Sequence, residues 1–463
     1  MKHSLIFLLA ITAVMPAAPG GNDNPRQSRP LADVMADIRK QFDLDLKIPQ
    51  RLLDGKTLDY ADYRIRRYSA EESLRNVLAP FDLMFEYETG KTYRLLAYDH
   101  PRRSPAEGAR EMQYLAALYK DRAAWEKQAR ALRPALLAAL RLSPMPDAPR
   151  AQPILTSERR MDGYRVQNFA IETLPGVFVC GSVYMPGRVA GKCPLVVSPN
   201  GHFPGGRYRD DQQIRCAMFA RMGAWAVSYD LFAWGESLLQ FDASAHRTPM
   251  AQTMQILNGI RIIDYFSKLP EIDPDRIAVT GASGGGSQTM MLAAIDDRVG
   301  VSVPVVMVSA HFDGGCPCES GQPIHLAAGG MNNVELAALA APRPQLVVSD
   351  GGDWTAGVPD VEYPFLRHVY GLYGKTEAVA NVHFPREGHD YGPSKRKAVY
   401  SFLAAHLGMD LTAAQNAKGE IDESACTVEP VEALLAFGPN GGFLPARAIK
   451  GMKQLDKIFE SAE

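Results

Sequence analysis

The strongest chemical signal in this chain is a serine set among glycines. The apolar run Ile277-Ala278-Val279 leads through Thr280 into Gly281-Ala282-Ser283-Gly284-Gly285, and a helix-compatible stretch from Gln288 to Ile295 follows. Strand, G-x-S-x-G, helix is the pattern of a nucleophile elbow, a sharp turn that lifts a serine hydroxyl above the end of a sheet. Small neighbours are needed because the turn is strained and other backbone passes close to it. The same motif offers one oxyanion donor, the Gly284 N–H. A phosphate-binding loop would need Lys-Ser/Thr after the glycines, or G-x-G-x-x-G spacing, and neither is present.

A serine hydroxyl is a poor nucleophile at neutral pH and needs a positioned base, which in turn needs an acid to orient it. His389, in Arg386-Glu387-Gly388-His389-Asp390-Tyr391-Gly392, follows the last strand candidate in a glycine-flanked loop and fits the base. His383 and His406 fall inside a strand and a helix and fit less well. Asp353, in Ser349-Asp350-Gly351-Gly352-Asp353-Trp354, follows the seventh strand and fits the acid, with Asp350 at the strand end read as structural. Glu319, after the sixth strand, is the alternative acid. A second oxyanion donor is expected from the N–H of His202 or Phe203, in the Pro199–Gly206 loop after the third strand. Trp234 and Trp354 could stack on a sugar ring, and Arg207 and Arg209 could contact a neighbouring carboxylate. These four are the candidate substrate-binding residues.

Such groups need a rigid frame. From about residue 160 the text alternates strands and helices, the mark of a mainly parallel sheet. Strands are expected at Tyr164–Ile171, Val177–Tyr184, Pro194–Ser198, Ala224–Tyr229, Arg276–Thr280, Val301–Val308, Gln345–Ser349 and Asn381–Phe384, with helices at Gln252–Ser267 and Pro393–Leu407. Eight strands with the serine after the fifth is the layout of an α/β-hydrolase. The expected fold class is therefore α/β, with a mostly parallel eight-stranded sheet over residues 155–410 and a small α+β domain before it. That domain spans 29–98: Leu31, Val34, Met35, Ile38 and Phe42 recur at helical spacing, and Leu83, Phe85 and Tyr87 alternate. Residues 104–150 read as a helical linker in which Pro134 breaks the run, and 411–463 form a C-terminal extension to which no role is assigned.

The N-terminus reads as an export signal over residues 1–20. Lys2 and His3 precede an apolar run from Leu5 to Met15, and small residues follow at Ala17 and Ala18. The run is short for a membrane span, and no lipobox cysteine follows it, so a periplasmic or secreted protein is expected. A net charge of -2 over 463 residues, with 46% apolar and 22% charged residues, argues against nucleic acid as a partner. Six cysteines are too few for a disulfide framework in a chain of this length. Cys316-Pro317-Cys318, with His311 and His325 near in sequence, fits no common zinc spacing. No metal and no cofactor is expected, and a disulfide, for instance to Cys426, is the preferred reading of that pair.

The segments "DPDRIAVTGASGGGSQT", "NGH", "DLFAWGES", "APRPQLVVSDGGDWT" and "PREGHDYG" resemble the α/β-hydrolase carbohydrate esterases, a group that includes acetylxylan and glucuronoyl esterases. The resemblance covers roughly residues 110–410. Glucuronoyl esterases carry an arginine directly after the serine, where this chain has Gly284. The whole arrangement of signal, small domain, helices and hydrolase is most similar to the bacterial pectin methylesterases of α/β-hydrolase type. That resemblance implies an ester of plant cell-wall polysaccharide as substrate, the methyl ester of galacturonate in pectin, with the acetyl ester of acetylxylan or another carbohydrate as the alternative. The segment "EESLRNVLAPFDLMFEYETGKTYRL" resembles the secretin and TonB-receptor N-terminal domain, which implies either an envelope protein partner or a packing role. A prolyl-oligopeptidase-like peptidase would need propeller repeats, and none is present. A non-hydrolytic envelope carbohydrate-binding or signalling protein would not need every triad position filled.

Overall fold

The computed structural model describes residues 29–462 apart from 59–60, 62–64, 66–68, 79–80, 82, 98–102, 189–190, 321–323 and 325–330. The expected signal segment and His325 therefore lie outside the described residues. The chain divides into two compact units, Met1–Leu96 and Ala97–Glu463. Among the described residues no helix is long and apolar enough to cross a membrane.

In the first unit, helices Leu31–Phe42 and Ala70–Leu78 accompany a three-stranded sheet ordered Asp45–Lys47, Thr92–Ala97, Leu83–Thr89. The helical spacing read from the sequence is the buried face: Leu31, Val34, Met35 and Ile38 join Leu74, Val77, Leu83 and Leu95 in one core.

The second unit is built on eight long strands. These are β1 (Tyr164–Leu174), β2 (Val177–Pro186), β3 (Cys193–Val197), β4 (Trp225–Tyr229), β5 (Ile272–Ala282), β6 (Val299–Val305), β7 (Gln345–Asp350) and β8 (Val379–Phe384). Their spatial order is β8-β7-β6-β5-β3-β4-β2-β1, with the short strand Ile154–Leu155 on the outer edge. Strands β3 to β8 run parallel, and β2 and β1 are antiparallel. This is an α/β-hydrolase sheet. The period of two along each strand feeds two cores. Leu195, Val197, Ile277 and Val279 point to one side, while Val196 and Ala278 point to the other. Every residue of β3, β4 and β7 is buried, as expected for parallel strands covered on both faces. Because β3 to β8 run the same way, the loops after them meet at one edge, where such sheets place their chemistry.

Two expectations change. Strand β6 ends at Val305 rather than Val308, because Val306 adopts φ 45° and turns the chain out of the sheet. Pro134 does not break its helix, which runs from Arg122 to Ala139. Trp125, Ala129, Leu132 and Leu136 are buried in the main core, and Arg133 donates to the carbonyls of Ala294 and Leu339. That packing outweighs the one backbone bond the proline removes. At the other end of the unit, Leu455 and Phe459 join the same core.

Candidate active site

Strand β5 delivers Ser283 and the helix Gly284–Ile295 leaves from it. Ser283 has φ 57° and ψ -123°, a conformation costly for a side-chain-bearing residue and held only where surroundings enforce it. Its N–H donates to Val305 O at 3.0 Å, and its carbonyl accepts from Ser287 N–H at 3.0 Å. The flanking glycines answer to a close approach. A Cβ on Gly281 or Gly285 would stand 2.5 or 2.4 Å from the Pro199 carbonyl oxygen, on the loop after β3. Sequence spacing, backbone strain and packing thus meet at one residue.

His389 and Asp353 come together. His389 Nδ1 lies 2.6 Å from Asp353 Oδ2, and the other carboxylate oxygen accepts from Thr355 N–H and Oγ1, both at 2.6 Å. The Asp353 side chain is 3% exposed. A carboxylate on Nδ1 keeps the proton there and leaves Nε2 as the basic nitrogen. Trp354 and Phe203 flank the imidazole, with ring centroids 4.4 and 5.6 Å away. The loop is anchored by Lys395, which sequence reading missed. Its buried ammonium donates to Gly388 O at 2.6 Å and Asp390 Oδ1 at 2.7 Å, and pairs with buried Asp350 at 3.1 Å.

Glu319 is not brought to His389. Its Oε1 lies 3.0 Å from His202 Nδ1 and 3.5 Å from Ser283 Oγ, and its Oε2 accepts from Gly315 N–H at 2.9 Å. Burial disfavours its charge, but the adjoining His202 imidazole more than offsets this and holds the carboxyl below its ordinary range. The alternative acid is thus a partner of His202, because the loop after β6 carries it to that ring. Among the described residues, the hydrogen bond of Ser283 Oγ goes to Glu319 and not to His389. The N–H groups of His202, Phe203 and Gly284 have no acceptor among those residues, which leaves them open to an oxyanion. A Cβ on Gly284 would stand 3.0 Å from the His202 ring and 2.9 Å from a Glu319 carboxylate oxygen, so a side chain there would have to displace both.

Of the four candidate substrate residues, Arg207 is a correction. It is buried and bonds Asp230 at 2.9 Å, Ser182 at 2.9 Å, Glu236 at 3.0 Å and the Leu434 carbonyl at 2.9 Å. Glu236 also accepts from the N–H groups of Ala436 and Phe437. The guanidinium therefore clamps the C-terminal segment to the loop after β4 and is closed to substrate. Arg209 stays half-buried, paired with Asp211 at 2.8 Å and lying 4.4 Å over the Phe203 ring. Trp354 sits on His389, whereas Trp234 packs against His202 and His246.

No family model matches the chain. The solved structure of methylesterase BT1017 is 49% identical to it, covering 94% of this chain and 98% of that one, with a TM-score of 0.75. The chain belongs to the α/β-hydrolase carbohydrate esterases, the family that includes methylesterase BT1017. A glucuronoyl esterase from Teredinibacter turnerae T7901 is 17% identical over 62% of this chain and 85% of its own, with a TM-score of 0.46. YtaP of Bacillus subtilis (strain 168) is 25% identical over 149 residues, 28% of this chain and 48% of that protein. The esterase thus spans about half the length of that curated relative.

One consequence for the esterase concerns stability. Arg207→Met would leave Asp230 and Glu236 buried without their cation, a loss of about 3–5 kcal/mol. Chemical denaturation should show a midpoint well below wild type, whereas a substrate contact at this position would change KM and leave the midpoint in place.

One further residue, His246, escaped sequence reading. His246 and His202 approach Cys316 and Cys318, and the four donor atoms lie within 4.8 Å of one another. His311 is not among them. All six cysteines are free, so the disulfide expected of the Cys316-Pro317-Cys318 stretch is not formed. The physical reason is that both thiols face imidazoles contributed by distant loops, while Cys426 packs against the other face of the sheet. Apart from the C-x-C doublet, no local pattern signals this cluster.

Proposed function

We propose that the esterase removes methyl esters from galacturonate in pectin by a Ser-His-Asp acyl-enzyme route. The observation that carries the mechanism is the strained Ser283 elbow beside a His389 whose Nδ1 is held by Asp353. Ser283 Oγ attacks the ester carbon as His389 Nε2 takes its proton. The Gly284 N–H and the N–H of His202 or Phe203 receive the oxyanion, and the same proton leaves with methanol. Water, deprotonated by His389, then releases the galacturonate from the serine. The name of methylesterase BT1017, at 49% identity, supports a methyl ester over an acetyl ester. Arg209, a cation over the Phe203 ring that itself neighbours His389, suits a polymer whose neighbouring sugars carry carboxylates. The first unit is proposed to contact an envelope partner, and the protein to work in the periplasm or outside the cell.

Methanol and acetate are to be measured from one pectin carrying both ester types, with wild type and Ser283→Ala. Methanol from the wild type alone is the expected result. Acetate without methanol would replace this reading with a carbohydrate acetyl esterase. Arg209→Gln should raise KM on pectin about two- to five-fold with kcat nearly unchanged, the size of a partly screened rim charge. An equal rise on a small neutral methyl ester would contradict that role.

A further inference from the structure

We propose that His202, His246, Cys316 and Cys318 form a closed tetrahedral site for a thiophilic divalent cation of the zinc type, placed beside the nucleophile. The outer nitrogens of the two rings are both engaged. His202 Nδ1 lies 3.0 Å from a Glu319 carboxylate oxygen, and His246 Nδ1 lies 2.6 Å from the Phe232 carbonyl oxygen. Both partners accept, so each ring keeps a proton on Nδ1, and once any proton shared between the inner atoms has left, each presents a lone pair at Nε2. Those two Nε2 atoms are 2.6 Å apart, and Cys318 Sγ is 3.0 Å from one and 3.1 Å from the other. Cys316 Sγ completes a set within 4.8 Å.

Converging lone pairs repel unless something positive lies between them. A single proton can bridge one pair of these atoms, whereas a cation with affinity for sulfur and imidazole satisfies all four. Bond lengths of about 2.3 Å to sulfur and 2.0 Å to nitrogen give tetrahedral edges of roughly 3.3–3.8 Å. The two Nε2 atoms and Cys318 Sγ would move slightly apart, and Cys316 Sγ, in a set that spans up to 4.8 Å, would swing inward to meet the ion. A carboxylate on one ligating histidine and a backbone carbonyl on the other are the outer partners such ligands commonly have. His246, Cys316 and Cys318 are buried, so the ion would be sheltered. Two imidazoles with two thiolates favour zinc-like ions over magnesium or calcium, which take oxygen ligands.

With four protein ligands no position remains for water, so the ion's role is to hold the protein and not to activate the ester. It would tie together the loop after β3, the turn Ala243–Arg247 and the Cys316–Ser320 segment. These carry His202, whose ring lies where a side chain on Gly284 would stand, and Glu319, which reaches Ser283 Oγ. The cation would thereby fix one wall of the site whatever ester is cleaved.

The full chain, purified without chelator, is to be assayed for bound metals by mass spectrometry. It is then to be stripped with chelator and reloaded with zinc or cobalt(II). The expected result is one zinc per chain and a lower thermal midpoint after stripping that zinc restores. The cobalt form should show thiolate charge-transfer bands and the intense visible bands of a tetrahedral centre. A Cys316→Ser, Cys318→Ser double variant should lose the metal. Because the cobalt spectrum is read on the wild-type chain, misfolding of the variant cannot decide the matter. Three results would each overturn the proposal: wild type that neither contains nor takes up metal, metal retained in the double variant, or Cys316 and Cys318 found joined as a disulfide.

Discussion

Ser283→Ala should lower kcat on a methyl ester by about a million-fold, the loss seen when a serine nucleophile is removed from an intact triad. The fold should be almost untouched. Alanine keeps the Cβ, and the hydrogen bonds that fix the elbow run through the backbone of residue 283 to Val305 and Ser287. Thermal unfolding should therefore stay close to wild type, so the lost rate reports the hydroxyl and not unfolding. Ser283→Gly should be equally inactive yet more stable, by roughly 1 kcal/mol, because glycine accepts φ 57° without strain. An alanine variant retaining a tenth of the activity would place the nucleophile elsewhere.

Asp353→Asn is expected to cost about 10⁴-fold in kcat, because an amide that donates its N–H to Nδ1 fixes the tautomer with the ring proton on Nε2, which then has no lone pair for the serine proton. The His389–Asp353 pair at 2.6 Å predicts this. Glu319→Gln separates the two carboxylates. Since it touches His202 and not His389, its loss should be that of a group supporting a ligand or loop, about 10- to 100-fold. Steady-state kinetics on both variants decide the acid. A larger loss from Glu319→Gln than from Asp353→Asn would reverse the assignment.

What could be read from sequence follows from how locally each feature is encoded. The elbow is a contiguous motif whose glycines answer to one approaching carbonyl, and buried parallel strands are continuous apolar runs, so both were legible. That His389 and Asp353 would meet was legible through their order after the last two strands. Arg207 was misjudged because its partners at Asp230, Glu236 and Leu434 are brought in by tertiary folding, and an arginine in a loop gives no sign of that burial. Lys395 lay hidden inside a helix for the same reason. The His202, His246, Cys316 and Cys318 cluster draws on three loops, and no spacing rule joins residues so far apart in the chain. Pro134 shows the converse case, where a strong local signal yields to the core its helix covers.

Ser283 is proposed as the activated nucleophile of this esterase. Its most direct test is intact-mass and peptide analysis after brief exposure to a fluorophosphonate. A single adduct per chain is expected on the peptide bearing Ser283, absent in Ser283→Ala and strongly slowed in His389→Ala. No adduct on folded protein, or one on another serine, would contradict it.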